Sequence, residues 1–354
     1  MTSNYTTLII YYFTGTGNAR KASEWMIQKA AQLGYTTYLV SIARFETIEI
    51  PEFKGKALIG FASPTHGFNM APIMLKFIHK FPKRLNADVF VLNTRAGTKL
   101  YKWFLPGASG IALLYTSLVL RLKSYRVRGL VPIDLPSNWF MLHPGIRTPV
   151  VESMNVHYKN KCEQQIAKML DGRYVGQAWR DFPFDIALLP IAILYYGAGR
   201  FALAKTYFAD HTCSHCGKCA KNCPVAAIEM KNGLPFWKIN CESCMRCVNI
   251  CPENAIQTNH FIVLIVWGMV YYLCYIATKQ IDIFFNLNPY GFLGIFILLI
   301  NSIIFGFLAI PMFNLLFKLS TYKSVRKVFA LTSLTYYPFW RRYKYNLNRR
   351  NDNK

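Results

Sequence analysis

Leu8-Ile9-Ile10-Tyr11-Tyr12-Phe13-Thr14-Gly15-Thr16-Gly17-Asn18-Ala19-Arg20 joins an apolar run to a glycine turn and then to a helical pattern. The run Leu8 to Phe13 is short and rich in aromatic and β-branched residues, which predicts a buried strand. From Arg20 to Leu33 the apolar residues Ala22, Trp25, Met26, Ala30 and Leu33 recur at helical spacing, and Gly34 supplies the stop. Strand, turn and helix together make a βα unit. Further strands are predicted at Thr36 to Val40, Ala57 to Ala62, Asp88 to Asn93 and Tyr125 to Val131, with segments between them long enough for crossover helices. Five such strands imply a doubly wound α/β fold with a parallel sheet covered on both faces. The apolar stretch Gly107 to Leu122 is broken by small and polar residues and lies between two strands, so it reads as a crossover helix. A last helix is expected from Val151 to Leu170, before Gly172.

The glycine turn suits an anion. Hydroxyls of Thr14 and Thr16, amides freed around Gly15 and Gly17, and the start of a helix at Asn18 and Ala19 all face the same point. Two other loops fall at strand ends, where a doubly wound sheet gathers ligands: Ser63-Pro-Thr65-His66-Gly67-Phe68 and Asn93-Thr94-Arg95-Ala-Gly97.

Eight of the ten cysteines lie in two compact runs. Cys213-Ser-His-Cys216-Gly-Lys-Cys219-Ala-Lys-Asn-Cys223-Pro224 follows the spacing C-x2-C-x2-C-x3-C-P, and Cys241, Cys244, Cys247, Cys251 and Pro252 repeat it. This is the bacterial two-cluster ferredoxin pattern, in which the fourth cysteine of each run serves the other [4Fe–4S] cluster. Cys213, Cys216, Cys219 and Cys251 are therefore expected on one cluster, and Cys223, Cys241, Cys244 and Cys247 on the other. Structural zinc sites also use closely spaced cysteines, but not four in such a run twice in tandem. His215 lies inside the first loop as a spacer, and Cys162 and Cys274 stand apart as bystander thiols.

Beyond the cysteines the composition changes. Phe261 to Thr278 holds no charged residue in eighteen, and Tyr290 to Phe317 none in twenty-eight. Such lengths predict a two-helix transmembrane hairpin over 261–317. Only Lys279 and Asp282 charge the connector, whereas residues 318–354 carry ten Lys and Arg against Asp352. By the positive-inside rule this basic tail is cytoplasmic, which places the other end in the cytoplasm as well. The N-terminus shows no signal-peptide pattern, in keeping with that topology. The apolar stretch Phe184 to Phe201 reads as a linker helix or an interfacial segment. The whole chain holds 41 Lys and Arg against 17 Asp and Glu. Anionic clusters, a bound phosphate and lipid headgroups account for that excess, and no nucleic-acid partner is expected.

The turn from Thr14 to Ala19, the Ser-Pro-Thr65-His66-Gly67 loop and the third loop resemble those of flavodoxins, over roughly residues 1–172. Joined to the cysteine repeat, the chain resembles flavodoxin–ferredoxin fusion electron-transfer proteins, in which Asp134-Leu-Pro-Ser-Asn138 also has counterparts. The resemblance implies FMN as cofactor. Thr14, Thr16, Gly17 and Asn18 would cradle its phosphate, Thr65, His66, Gly67 and Phe68 would border the ring, and Arg95 would stand as a cation near it. Ala19 departs from the family, which usually has a hydroxyl residue there, and the hairpin is not a usual part. The expected organisation is a flavodoxin-like FMN domain over 1–172, a linker over 173–208 and an α+β two-cluster ferredoxin domain over 209–260, then the hairpin and tail. Together these imply an electron carrier at a bacterial-type inner membrane, passing electrons to or from an unidentified redox protein or quinone. A quinone reductase, or a redox sensor or assembly factor, are the competing readings.

Overall fold

The computed structural model describes residues 5–285, 291–308 and 310–342. Strand β1 (Tyr5–Tyr12) leads through the glycine turn into α1 (Asn18–Gln32), and β2 (Thr36–Ser41), β3 (Lys56–His66), the short β4 (Asn69–Met70) and α2 (Pro72–Lys80) follow. Then come β5 (Ala87–Leu100), β6 (Trp103–Leu105), α3 (Ala112–Leu122), β7 (Arg126–Pro136), α4 (Thr148–Leu170) and β8 (Val175–Gly176). The sheet order is β2-β1-β3-β5-β7-β8, parallel throughout, with β4 and β6 added antiparallel on β3 and β5. The chain reverses direction of travel across the sheet at β1, so a switch point opens between the carboxyl ends of β1 and β3.

Side-chain alternation on β1 divides its residues between two cores. Ile9 and Tyr11 join Phe61, Phe77 and Phe81 under α2 and α3, while Leu8 and Ile10 pack with Met26, Ile166 and Met169 under α1 and α4. At the opposite end from the switch point, Asp88 accepts from the Tyr5 hydroxyl at 2.5 Å and pairs with Lys56 at 2.9 Å and Arg128 at 2.6 Å. One carboxylate thus ties β1, β3, β5 and β7 together.

After β8 the chain does not leave the sheet. Asp181 pairs with Arg95 at 2.8 Å, and Asp185, in α5 (Phe182–Ala187), accepts from the Gly110 amide at 2.8 Å. Helices α6 (Leu189–Leu194) and α7 (Arg200–Ala204) then carry it to the cysteine-bearing unit. There β9 (Tyr207–Ala209) pairs with β12 (Ile256–Thr258), and β10 (Ile228–Lys231) with β11 (Leu234–Trp237), both antiparallel. Helices α8 (Lys218–Lys221) and α9 (Arg246–Ile250) each follow a cysteine loop.

The apolar stretch after the cysteine unit folds back on itself as α10 (His260–Phe285), α11 (Phe292–Leu308) and α12 (Ile310–Leu319), with Cys274 of α10 buried against Phe313 of α12. The expected transmembrane hairpin is not supported: among the described residues no helix is long and apolar enough to cross a membrane. The connector position Asn286 lies outside the described residues. The basic segment is not a free tail through Arg342 either. Helix α13 (Lys323–Leu331) and the turns after it pack on the cysteine unit, where the Ser333 hydroxyl donates to Thr258 O at 2.6 Å. Arg342 donates to Asn254 O and Gln257 Oε1, and Trp340 Nε1 donates to Phe140 O of the α/β unit. Arg326, 7% exposed, is thereby withdrawn from any headgroup contact.

Candidate functional site: a cavity and two cysteine cages

The two cysteine runs fold as a repeat with a period of 28 residues, visible in backbone conformation as well as in ligand spacing. His215 and Ser243, Gly217 and Met245, and Ala226 and Asn254 form three such pairs, and all six residues have positive φ. Five of them carry a β-carbon, so the strain is repeated where the chain must curl around a ligand. The curl turns amides onto sulfur: Ala227 N donates to Cys223 Sγ at 3.2 Å, and Ala255 N to Cys251 Sγ at 3.3 Å.

Two cavities result. One is lined by Cys213, Cys216, Cys219 and Cys251, the other by Cys223, Cys241, Cys244 and Cys247. The exchange of the fourth cysteine is therefore present in the fold, and each cage is built from both halves of the repeat. They differ in exposure. Cys223, Cys241 and Cys247 of the inner cage are buried, whereas Cys216 of the outer cage is exposed. Burial pushes the Cys219 thiol up to about 11 and the Cys244 thiol up to about 12, so loading a cluster must displace protons from them. His215 stands off the cage, its Nδ1 2.8 Å from Gly233 O. Arg326 has Nε and Nη1 buried without a protein partner, and its charge acts on Cys213, so an anionic cluster there meets an unspent cation. Among the described residues no three His, Cys, Asp or Glu side chains converge on a single metal ion.

The third cavity opens at the carboxyl ends of β1, β3, β5 and β7. Thr14, Gly15, Thr16 and Asn18 line it from the first turn, Thr65, His66 and Gly67 from the end of β3, and Thr94 and Arg95 from β5. Thr14 Oγ1 accepts from the Gly17 amide at 2.9 Å and Thr16 Oγ1 accepts from Asn138 Nδ2 at 2.9 Å, which leaves both hydroxyl protons to donate. With the first amides of α1, this donor set fits a phosphate. Asn18 Oδ1, Asn138 Oδ1 and His66 Nδ1 are buried without partners, so the cavity is also wired for a polar planar ligand. Burial pushes His66 down to about 4 and keeps its imidazole neutral.

Several expected contacts fall elsewhere. Arg95 reaches the cavity wall, but its guanidinium is committed to Asp134 at 2.5 Å and Asp181 at 2.8 Å, so it is not a free cation for a ring. Phe68 turns away with φ 63, and its carbonyl accepts from Ile111 N at 2.9 Å. Gly17, Ala19, Asn93 and Gly97 stand behind the lining; Asn93 Nδ2 donates to Thr65 Oγ1 at 2.8 Å and holds that loop in place. Sequence reasoning gave no role here to Trp139, Tyr195, Ser243, Cys244 or Met245, which close the cavity from outside the sheet. Their one signal was negative: Gly15 and Gly67 have no room for a β-carbon. A β-carbon at Gly15 would overlap the Cys244 carbonyl, and one at Gly67 the Tyr195 ring.

Cys244 thus lines both this cavity and the inner cage. Nearby, Glu242 is buried with Oε2 unpartnered, and burial pushes its carboxyl up to about 8 against the pull of Arg200.

Residues 212–256 match the family model described as a 4Fe-4S dicluster domain. The cages are accordingly sites for two [4Fe–4S] clusters. No curated protein matches the chain. Among solved structures, oxidised flavodoxin 1 from Bacillus cereus is 13% identical with a TM-score of 0.31, covering 46% of this chain and 97% of that one. The rubredoxin oxygen:oxidoreductase of Desulfovibrio gigas is 13% identical with a TM-score of 0.29, covering 47% of this chain; only 36% of its own length is matched.

Proposed function

We propose that the chain is a membrane-associated electron-transfer protein that holds FMN in the cavity above the sheet and relays electrons between it and the two clusters. The observation that carries this reading is Cys244, shared between that cavity and the inner cage. When bound, FMN supplies exchange of one or two electrons, whereas each cluster exchanges one. The chain's own residues do the rest. Thr14 and Thr16 would donate to the phosphate, the neutral His66 would offer a hydrogen-bonding group to the ring, and Trp139 and Tyr195 would exclude water from the cavity. The outer cage, with Cys216 at the surface, is the natural exchange point for a soluble redox protein.

Membrane association is supported by the apolar side chains that α10 and α11 leave exposed, among them Leu264, Tyr271, Phe284, Phe292 and Leu293. An apolar surface of this extent calls for lipid or a protein partner. The basic composition of 318–354 favours attachment on the cytoplasmic side of an inner membrane.

Anaerobic purification from membranes, followed by iron, sulfide and flavin analysis, tests the reading. The expected preparation holds about eight irons and one FMN per chain. Photoreduction of the flavin should bleach the cluster absorbance. A protein that neither retains nor takes up FMN, or whose clusters do not respond to the flavin, would remove it. Recovery in the soluble fraction would remove the membrane part alone.

A further inference from the structure

The loop after β7 closes one wall of the cavity over the sheet, yet its own unit does not hold it. Ser137, Asn138 and Trp139 line the cavity, and Asn138 Nδ2 is the group that orients the Thr16 hydroxyl. The next two residues leave the α/β unit: Phe140 and Met141 are buried in the core that contains Tyr207, Trp237 and Met245 of the cysteine unit. Their backbone is tied down from the far end of the chain. Trp340 Nε1 donates to Phe140 O at 2.5 Å and Gly145 N donates to Trp340 O at 2.8 Å, so one residue grips the loop on both sides. Between those points Met141 O accepts from His260 Nε2 at 2.7 Å. A further bond fixes that proton: Leu334 N donates to His260 Nδ1 at 3.1 Å, so Nδ1 is bare and Nε2 carries the hydrogen. The rings of His260 and Trp340 meet edge to face with centroids 5.4 Å apart. His260 opens α10, and Leu334 and Trp340 follow α13, so the chain departs into the apolar helices and returns between these two anchors.

We propose that Trp340 and His260 are positioning residues for the FMN cavity, acting through the loop 137–145 on Asn138 and through Asn138 on Thr16. The inference rests on the reading of that cavity as an FMN site and extends the site beyond the α/β unit. Asn138 Oδ1 is buried without a protein partner, so the side chain is tethered through Nδ2 and its place is set by its backbone. Three backbone groups of the loop, Phe140 O, Met141 O and Gly145 N, are held by Trp340 and His260. Without that clasp the loop keeps its covalent course from β7 but loses the bonds that fix it over the cavity. Thr16 then has no settled partner to aim its hydroxyl, and ordering the donor becomes part of the cost of binding an anion there.

The test uses the full-length, cluster-loaded chain stripped of flavin, titrated with FMN and followed by flavin fluorescence. Trp340→Phe keeps a ring beside His260 and removes the N–H, whereas Trp340→Ala removes both. FMN should bind about tenfold more weakly to the alanine variant, and by a smaller factor more weakly to the phenylalanine variant, while iron content and cluster absorbance stay those of the wild type. A double-variant cycle separates positioning from general support of the fold. If Trp340 acts through Asn138, the pair Asn138→Ala with Trp340→Ala should bind FMN no more weakly than Asn138→Ala alone, because both changes remove the same constraint. Should Trp340→Ala fail to accumulate as loaded protein, Trp340→Phe carries the same cycle. Losses that multiply in the double variant, or wild-type affinity in both Trp340 variants, would overturn the assignment. A wild-type chain that takes up no FMN would instead remove the cofactor reading, and this inference with it.

Discussion

Thr16 and His66 share one cavity but contribute different physics to it. The Thr16 hydroxyl, held by Asn138, is positioned to donate to a dianion, and such charge-assisted bonds contribute roughly 1 to 3 kcal/mol. Thr16→Ala is therefore expected to weaken FMN binding by about that amount, measured by flavin fluorescence on refilling the stripped protein. His66 sets a pH dependence. Its imidazole is pushed from the ordinary 6.5 down to about 4 by burial, so between those values the unfolded chain binds a proton that the folded cavity refuses. Its contribution to stability is complete above about pH 6.5 and declines as the pH falls toward 4. His66→Gln should flatten the loss of urea midpoint between pH 7 and pH 5; an unchanged slope would show that other groups set it. At this scale the sequence was legible where chemistry is carried by spacing. The eight cysteines and the Thr14 to Asn18 turn could be read directly, but Arg95 could not. Its partners Asp134 and Asp181 lie 39 and 86 residues away, and nothing local announces that they neutralise it.

The strands came through with their positions right and their ends short. Predicted Asp88 to Asn93 is the first half of β5, which runs to Leu100, because β3, β5 and β7 keep pairing through Ser63 with Asn93, Thr94 with Ile133 and Gly97 with Pro136. Segments with the composition of loops are drawn into the sheet by neighbours that supply their hydrogen bonds, which is tertiary context overriding local propensity. The same long-range pairing makes Asp88 the structural hinge of the opposite edge, with three partners from three other strands. Removing one member of such a buried set strands the rest. Asp88→Asn is expected to destabilise the α/β unit by about 3 kcal/mol, read as a shift in its denaturant midpoint with the cluster spectrum unaltered at the start. The C-terminal elements were legible only in part, for a related reason. Hydropathy identified the apolar runs, but the packing of α13, Trp340 and Arg342 across both units depends on contacts with residues 75 to 200 positions earlier.

At the scale of the whole molecule three sites form a sequence: the cavity over the sheet, the inner cage, and the outer cage at the surface. Because Cys244 touches the first two, the inner cluster is the junction through which every proposed route from the flavin passes. Cysteine variants separate the routes. Cys244→Ser should remove the inner cluster, lowering iron from about eight atoms to about four, and should disconnect flavin from whatever cluster remains. Cys216→Ser strikes the outer cage, where the ligand is exposed and does not line the first cavity, so flavin should still bleach the inner cluster when photoreduced. Passage of electrons from photoreduced flavin to a soluble ferredoxin should fail in both variants, whereas direct exchange of ferredoxin with the outer cluster should fail only in Cys216→Ser. Stopped-flow absorbance on the two loaded proteins reads all of these outcomes. If Cys216→Ser stopped flavin from reaching the inner cluster, the order of sites would be wrong, and the shared wall at Cys244 would have to be regarded as packing rather than as the path of the electrons.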